Sequence, residues 1–72
     1  MVEENARRKT AECERAIKLA SDPQRRKMLT SMRDLWIALA DESRRLDPQE
    51  VAAEYEKLAK IHAMLVAPSP VQ

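Results

Sequence analysis

The chain contains no glycine, and this absence excludes several kinds of site. The P-loop and the dinucleotide-binding fingerprint both need glycine where the backbone approaches phosphate, so neither nucleotide site is available. Most tight β-hairpin turns need residues with positive φ, which glycine adopts most readily. With 35% charged residues arranged at helical spacing, the sequence therefore predicts an all-α protein.

Cysteine and histidine occur once each, as Cys13 and His62. A disulfide within the chain is therefore impossible, and one thiol with one imidazole cannot supply the four ligands of a structural zinc site. We predict neither a metal nor a cofactor. A chain of 72 residues forms a small core that rarely supplies more than about 3–5 kcal/mol, so self-association is the remaining source of stability.

Long hydrophobic runs are also absent. The longest apolar run covers the six residues 35–40, which is far too short to span a bilayer. The first five residues are acidic and lack the basic and then apolar order of a signal peptide. The net charge of +1 gives no overall attraction to nucleic acid or to an anionic membrane. We therefore expect a cytoplasmic protein with no membrane partner.

The central stretch predicts one long amphipathic helix over residues 23–45. Asp22 is a favourable N-cap residue, and Pro23 fits the first helical position because its missing N–H is not needed there. The predicted buried stripe consists of Met28, Met32, Leu35, Leu39 and Leu46, widened by Leu29, Trp36 and Ala40. Such a stripe covers an arc of roughly 140°, wide enough for two neighbouring helices. Ile37 falls on the opposite, polar face.

Two further helices are predicted on either side, over residues 2–20 and 48–66. Their apolar positions follow heptad spacing: Ala6, Thr10, Cys13, Ile17 and Ala20 in the first, and Val51, Tyr55, Leu58, His62 and Leu65 in the third. Asp47 and Pro48 repeat the capping pattern of the first break, with Glu50 placed for a capping box. We predict a single domain over residues 1–67 and a disordered tail over residues 68–72.

The breaks at Pro23 and Pro48 predict an antiparallel helical hairpin with a third helix. A connection as short as Ser21–Asp22 usually joins antiparallel neighbours, although a continuous helix kinked at Pro23 is an alternative. The third helix can pack on the same chain, giving a three-helix bundle, or on a partner, giving a dimeric helical bundle. The sequence alone does not separate these two arrangements.

The central segment resembles a group of short, uncharacterised bacterial helical-hairpin proteins. The positions that carry the resemblance are Cys13, Ala20, Asp22, Pro23, Arg26, Met32, Trp36, Leu39 and Ala40. They cover roughly residues 6–43, and the segment from Pro48 to Val66 lies outside them. The resemblance implies a helical hairpin and implies no established activity.

The candidate for chemistry is the pair Cys13 and His62. In an up-down-up bundle both lie level with the region of residue 30, so the two side chains can meet. A Cys–His pair is the minimum for thiol catalysis. Both residues lie on predicted apolar stripes, however, where cysteine behaves as a small hydrophobe. The Glu-x-x-His motif of di-metal bundles is also absent, because Ala59 stands three residues before His62. We therefore predict no catalytic residues and no enzyme.

The sequence favours a non-enzymatic protein-interaction module that acts as a homodimer. The candidate interaction residues are Trp36, Ile37 and Arg26, and an unidentified protein partner is a further expectation. The alternative is a small nucleic-acid-binding regulator, because basic clusters occur at residues 7–9, 25–27 and 44–45. Acidic residues are interleaved among these clusters, and no exposed aromatic platform is predicted, so nucleic acid is not the favoured partner.

Overall fold

Three α-helices account for most of residues 2–66, the part of the chain that the computed structural model describes. Helix α1 spans Val2–Leu19, α2 spans Pro23–Glu42 and α3 spans Pro48–Val66. No strand occurs within residues 2–66, which confirms the all-α prediction. The predicted bounds of α1 and α3 are correct to within one residue. The tail predicted over residues 68–72 lies outside the described residues.

The first break follows the predicted capping pattern. Asp22 has extended backbone angles, and its carboxylate accepts from the backbone N–H groups of Gln24 and Arg25, with Pro23 in the first turn. Both bonds are long, at 3.4 Å, so each is weak. The guanidinium of Arg26 adds a second contact by donating to the carbonyl oxygen of Ala20 at 2.8 Å. The break is therefore held from both sides of Pro23, and α2 does not continue α1.

The second break begins earlier than predicted. Helix α2 ends at Glu42 rather than at residue 45, and residues 43–45 form a turn. The hydroxyl of Ser43 donates to the carbonyl oxygen of Ala40 at 2.8 Å, a local bond that competes with helix continuation. The carbonyl of Glu42 then accepts from both Arg45 and Leu46. Within residues 2–66, neither the carboxylate of Asp47 nor that of Glu50 accepts from the backbone N–H of the other residue, so the predicted capping box is not formed.

The three helices form a bundle within one chain. Helix α1 packs against both α2 and α3, and the molecule measures 39 × 23 × 17 Å. No residue in the described part of the chain has positive φ, so both breaks are built from ordinary backbone conformations and need no glycine. Of the two predicted arrangements, this chain shows the three-helix bundle. None of the helices described is long and apolar enough to cross a bilayer.

The core is formed along the line where the helices meet. Its buried residues are Ala6 and Cys13 of α1, Leu29, Met32, Trp36, Leu39 and Ala40 of α2, and Val51, Leu58 and His62 of α3. Leu46, Tyr55 and Leu65 pack at the edge of the core and are partly buried.

The predicted stripe of α2 is wrong at two positions. Met28 and Leu35 are 46% and 50% exposed, although both were expected in the core. The buried stripe is centred instead on Leu29, Met32 and Trp36. Leu29 and Trp36 each follow one of the two exposed residues by one position. Because one residue corresponds to about 100° of rotation, Met28 and Leu35 lie on the flank of α2 rather than on its inner face.

Candidate functional site

The single histidine lies at the centre of a buried polar network that joins all three helices. The indole Nε1–H of Trp36 in α2 donates to Nδ1 of His62 in α3 at 3.0 Å. On the other side of the ring, Nε2 lies 2.8 Å from Oε1 of Glu12 in α1. The Sγ atom of Cys13 lies 3.7 Å from Nδ1. One imidazole therefore connects three helices through three neighbours.

The hydrogen bonds of His62 define its tautomer. An indole N–H can only donate, so Nδ1 of His62 must carry a lone pair. The proton of the neutral ring then lies on Nε2, where it can be donated to the carboxylate of Glu12. The lone pair of Nδ1 thus faces the indole N–H, and the proton of Nε2 faces the carboxylate of Glu12. These two hydrogen bonds fix the orientation of the ring and the position of its proton.

Aromatic packing supports the same arrangement. The ring of Trp36 meets the ring of Tyr55 edge to face at a centroid distance of 5.2 Å, and it meets the ring of His62 at 5.6 Å. Such edge contacts are favourable for rings in a core. Within residues 2–66, every fully buried side-chain nitrogen or oxygen atom has a hydrogen-bond partner. A fully satisfied network of this kind specifies one packing of the three helices.

Cys13 and His62, which the sequence allowed to meet, do lie side by side, but the geometry does not favour thiol catalysis. Cys13 is completely buried, and burial, with a smaller effect from the nearby carboxylate of Glu12, raises the pKa of its thiol to about 11. Reactive cysteines are accessible and have lowered pKa values. The lone pair of Nδ1 is also occupied by the indole N–H, so it is not free to accept the thiol proton. These features favour a packing role for Cys13.

Glu12 is the member of the network that the sequence reasoning missed. Scattered carboxylates such as this one are expected on solvated faces, yet the side chain of Glu12 is only 35% exposed and reaches Nε2 of His62. It lies at the edge of a groove of about 550 Å³ between α1 and α3, whose rim includes Lys9, Arg15 and Val66. Glu12 could have been found from the position of His62 along the bundle axis, since a buried imidazole needs a hydrogen-bond partner for its second ring nitrogen. Within residues 2–66, no cluster of histidine, cysteine and carboxylate side chains could hold a metal ion.

The three predicted interaction residues lie in three different environments. Trp36 is completely buried, so its ring offers no surface to a partner in this conformation. Ile37 is about half exposed and lines a groove of about 650 Å³ between α1 and α2. Arg26 is exposed, and its guanidinium is bonded to the carbonyl of Ala20 within the chain. The structure does not bring these three side chains together into one site.

The groove beside Ile37 is bordered by an ionic cluster. The carboxylate of Glu3 lies 2.8 Å from the guanidinium of Arg7 and 3.2 Å from that of Arg44. The hydrogen bond and the charge of Arg44, together with Arg7, lower the pKa of Glu3. The Glu3–Arg7 pair has i,i+4 spacing within α1, whereas the contact with Arg44 comes from the packing of α1 against α2.

Several large apolar side chains lie outside the core on α2 and α3. Met28 and Leu35 of α2 are joined by Ile61 and Met64 of α3, which are 48% and 81% exposed. For α2 the heptad count placed the centre of the stripe on Met28 and Leu35, whereas the buried positions are their neighbours Leu29 and Trp36.

Comparison with protein-family models, with curated proteins and with solved structures found no significant match. The resemblance to short bacterial helical-hairpin proteins therefore stays a prediction.

Proposed function

We propose that this chain is a cytoplasmic, non-enzymatic protein-interaction module that acts as a homodimer. The observation that carries the proposal is the group of four exposed apolar side chains on α2 and α3, Met28, Leu35, Ile61 and Met64. Neighbouring apolar side chains left in water on a small domain mark a surface that associates with another protein.

The size of the core supports the same proposal. Ten residues of the described chain are buried, and several of them are alanine, valine or cysteine, which bury little area each. A core of this kind gives only about 3–5 kcal/mol. Covering further apolar side chains in a dimer would add stability that the single chain lacks, because association is linked to folding by mass action.

The contacts of the basic residues favour this proposal over the nucleic-acid alternative. Arg25 and Arg26 donate to the carbonyl oxygens of Leu65 and Ala20, and Arg44 binds Glu3. These guanidinium groups serve contacts within the chain, and none of the three lies beside an exposed aromatic ring. Binding of a nucleic acid would have to compete with those contacts for the same donors.

Sedimentation equilibrium over a wide concentration range tests the proposal. We expect the mass to approach twice the 8.3 kDa of one chain as the concentration rises. A mass that stays at 8.3 kDa up to millimolar concentration would refute the homodimer. A salt-sensitive mobility shift with DNA or RNA would favour the regulator instead.

A further inference from the structure

We propose that two copies of the chain pair in antiparallel orientation through one particular surface. This proposal rests on the homodimer proposed above. We call this surface the α2/α3 face. It consists of the apolar band formed by Met28, Leu35, Ile61 and Met64, together with the charged residues at its two ends. The proposal follows from the position of the band and from the arrangement of the charges.

The flank of α2 that carries the apolar residues is identified by its neighbours. Ile37 follows Trp36 by one residue and lines the groove shared with α1. Leu35 precedes Trp36 by one residue, so it lies about 100° round the helix in the other direction, toward α3. Met28 is seven residues before Leu35 and shares that flank.

The corresponding flank of α3 is identified in the same way. Ala63 follows His62 by one residue and lines the groove shared with α1. Ile61 precedes His62 by one residue, which places it on the side of α2. Met64, three residues after Ile61, lies beside it on the helix surface.

Contacts between α2 and α3 show that the two flanks are level. The guanidinium of Arg25 is bonded to the carbonyl oxygen of Leu65, and the rings of Trp36 and Tyr55 pack together. Because the helices are antiparallel, residues near 28 lie level with residues near 62, and residues near 35 with residues near 56. The four apolar side chains therefore form one band along the junction of the two helices.

The charges at the two ends of this band have opposite signs. At the end where α2 begins and α3 ends, the exposed cations are Arg25 and Lys27; at the other end, the exposed anions are Glu42, Glu50 and Glu54. Arg45, near the acidic end, is already paired with Asp41. Glu54 is within 3.9 Å of Lys57, which is a loose pair on the surface. The face thus has a basic end, an apolar centre and an acidic end.

A two-fold axis through the centre of this face makes it complementary to itself. The axis places the basic end of each copy over the acidic end of the other and brings the two apolar bands into contact. A parallel pairing would bring like charges together, which is unfavourable. The two longer dimensions of the molecule, 39 and 23 Å, bound a face comparable with the roughly 800 Å² per partner that a stable interface buries.

Charge reversal tests the pairing with two variants. Arg25→Glu with Lys27→Glu makes both ends of the face acidic, and Glu42→Lys with Glu50→Lys makes both ends basic. We expect each variant alone to dimerise on the order of tenfold more weakly than the unmodified chain. An equimolar mixture should recover the dimer as a heterodimer, because every acidic end then meets a basic one. Circular dichroism checks that each variant is folded.

Matched controls separate the surface from the net charge. Arg8→Glu with Lys18→Glu, and Glu4→Lys with Glu14→Lys, change the net charge equally but act on α1, away from the α2/α3 face. Each control should dimerise as the unmodified chain does.

The remaining outcomes distinguish the two proposals. An unmodified chain that dimerises, with face variants that behave like the controls, would overturn the pairing and leave the homodimer standing. Face variants that are both weakened but fail to recover on mixing would overturn the pairing of opposite charges on which the antiparallel orientation depends. An unmodified chain that stays monomeric would overturn both proposals.

Discussion

Replacing His62 by leucine is the most direct test of the network that joins the three helices. Leucine fills similar space but cannot accept from the indole N–H of Trp36. That N–H is buried and would be left without a partner. An unpaired buried donor costs about 1–3 kcal/mol, which is a large part of the roughly 3–5 kcal/mol that such a core supplies.

Urea unfolding followed by far-ultraviolet circular dichroism measures this cost. For a domain of this size the free energy of unfolding falls by about 1 kcal/mol per molar urea. We therefore expect the midpoint for His62→Leu to be lower by about 1–3 M with an unchanged slope. Glu12→Gln is the matched control: its amide oxygen still accepts from Nε2, and the side chain has access to water, so the midpoint should move by about 0.5 M or less.

A double-mutant cycle assigns the cost to the contact between the two rings. Trp36→Phe removes the N–H and keeps most of the aromatic packing. If the bond between Nε1 and Nδ1 is formed, the two substitutions together should cost less than the sum of each alone, with a coupling of about 0.5–1.5 kcal/mol. Full additivity, together with a His62→Leu variant as stable as the unmodified chain, would refute the reasoning. Nitrogen chemical shifts of His62 give an independent check, since they should report a neutral ring protonated at Nε2.

Three further predictions concern the buried indole, the thiol and the ion pairs of Glu3. Trp36→Ala should cost about 3–5 kcal/mol because the whole buried ring is lost; a melting curve that does not change would contradict its burial. Between pH 9 and 11 the folded chain should lose stability, since the raised pKa of Cys13 keeps its thiol protonated after the unfolded thiol has ionised. Cys13→Ala should remove that part of the slope, measured by denaturant titration at each pH. The ion pairs of Glu3 contribute above its ordinary carboxyl pKa and are lost as pH falls through its lowered pKa, so Glu3→Gln should flatten the acid limb; an identical acid limb in both chains would argue against the pairing.

The fold could be predicted from the sequence because an aspartate followed by a proline marks where α2 and α3 begin. Pro23 and Pro48 each start a helix where the sequence placed them. The C-terminus of α2 was not predictable in the same way, because it depends on a bond from Ser43 to Ala40 that competes with helix continuation only weakly. The helix stops at Glu42, three residues before the predicted end at residue 45.

The candidate network was only half predictable. Level-matching along an up-down-up bundle brought Cys13 and His62 together, since that argument needs only the positions of the breaks. It could not identify the donor from Trp36 or the contact with Glu12, because both depend on the rotation of each helix about its own axis. The same rotation explains Met28 and Leu35: a small difference in angle moves a side chain from the core to the flank.

The position of Trp36 makes the protein its own optical probe. Its indole is the only one in the chain, and it lies where α2 meets the imidazole and the phenol ring of α3 while packed in the core that α1 completes. The fluorescence emission of Trp36 should therefore shift when α1 or α3 separates from α2. A single wavelength, with no attached label, can time the assembly of the whole bundle.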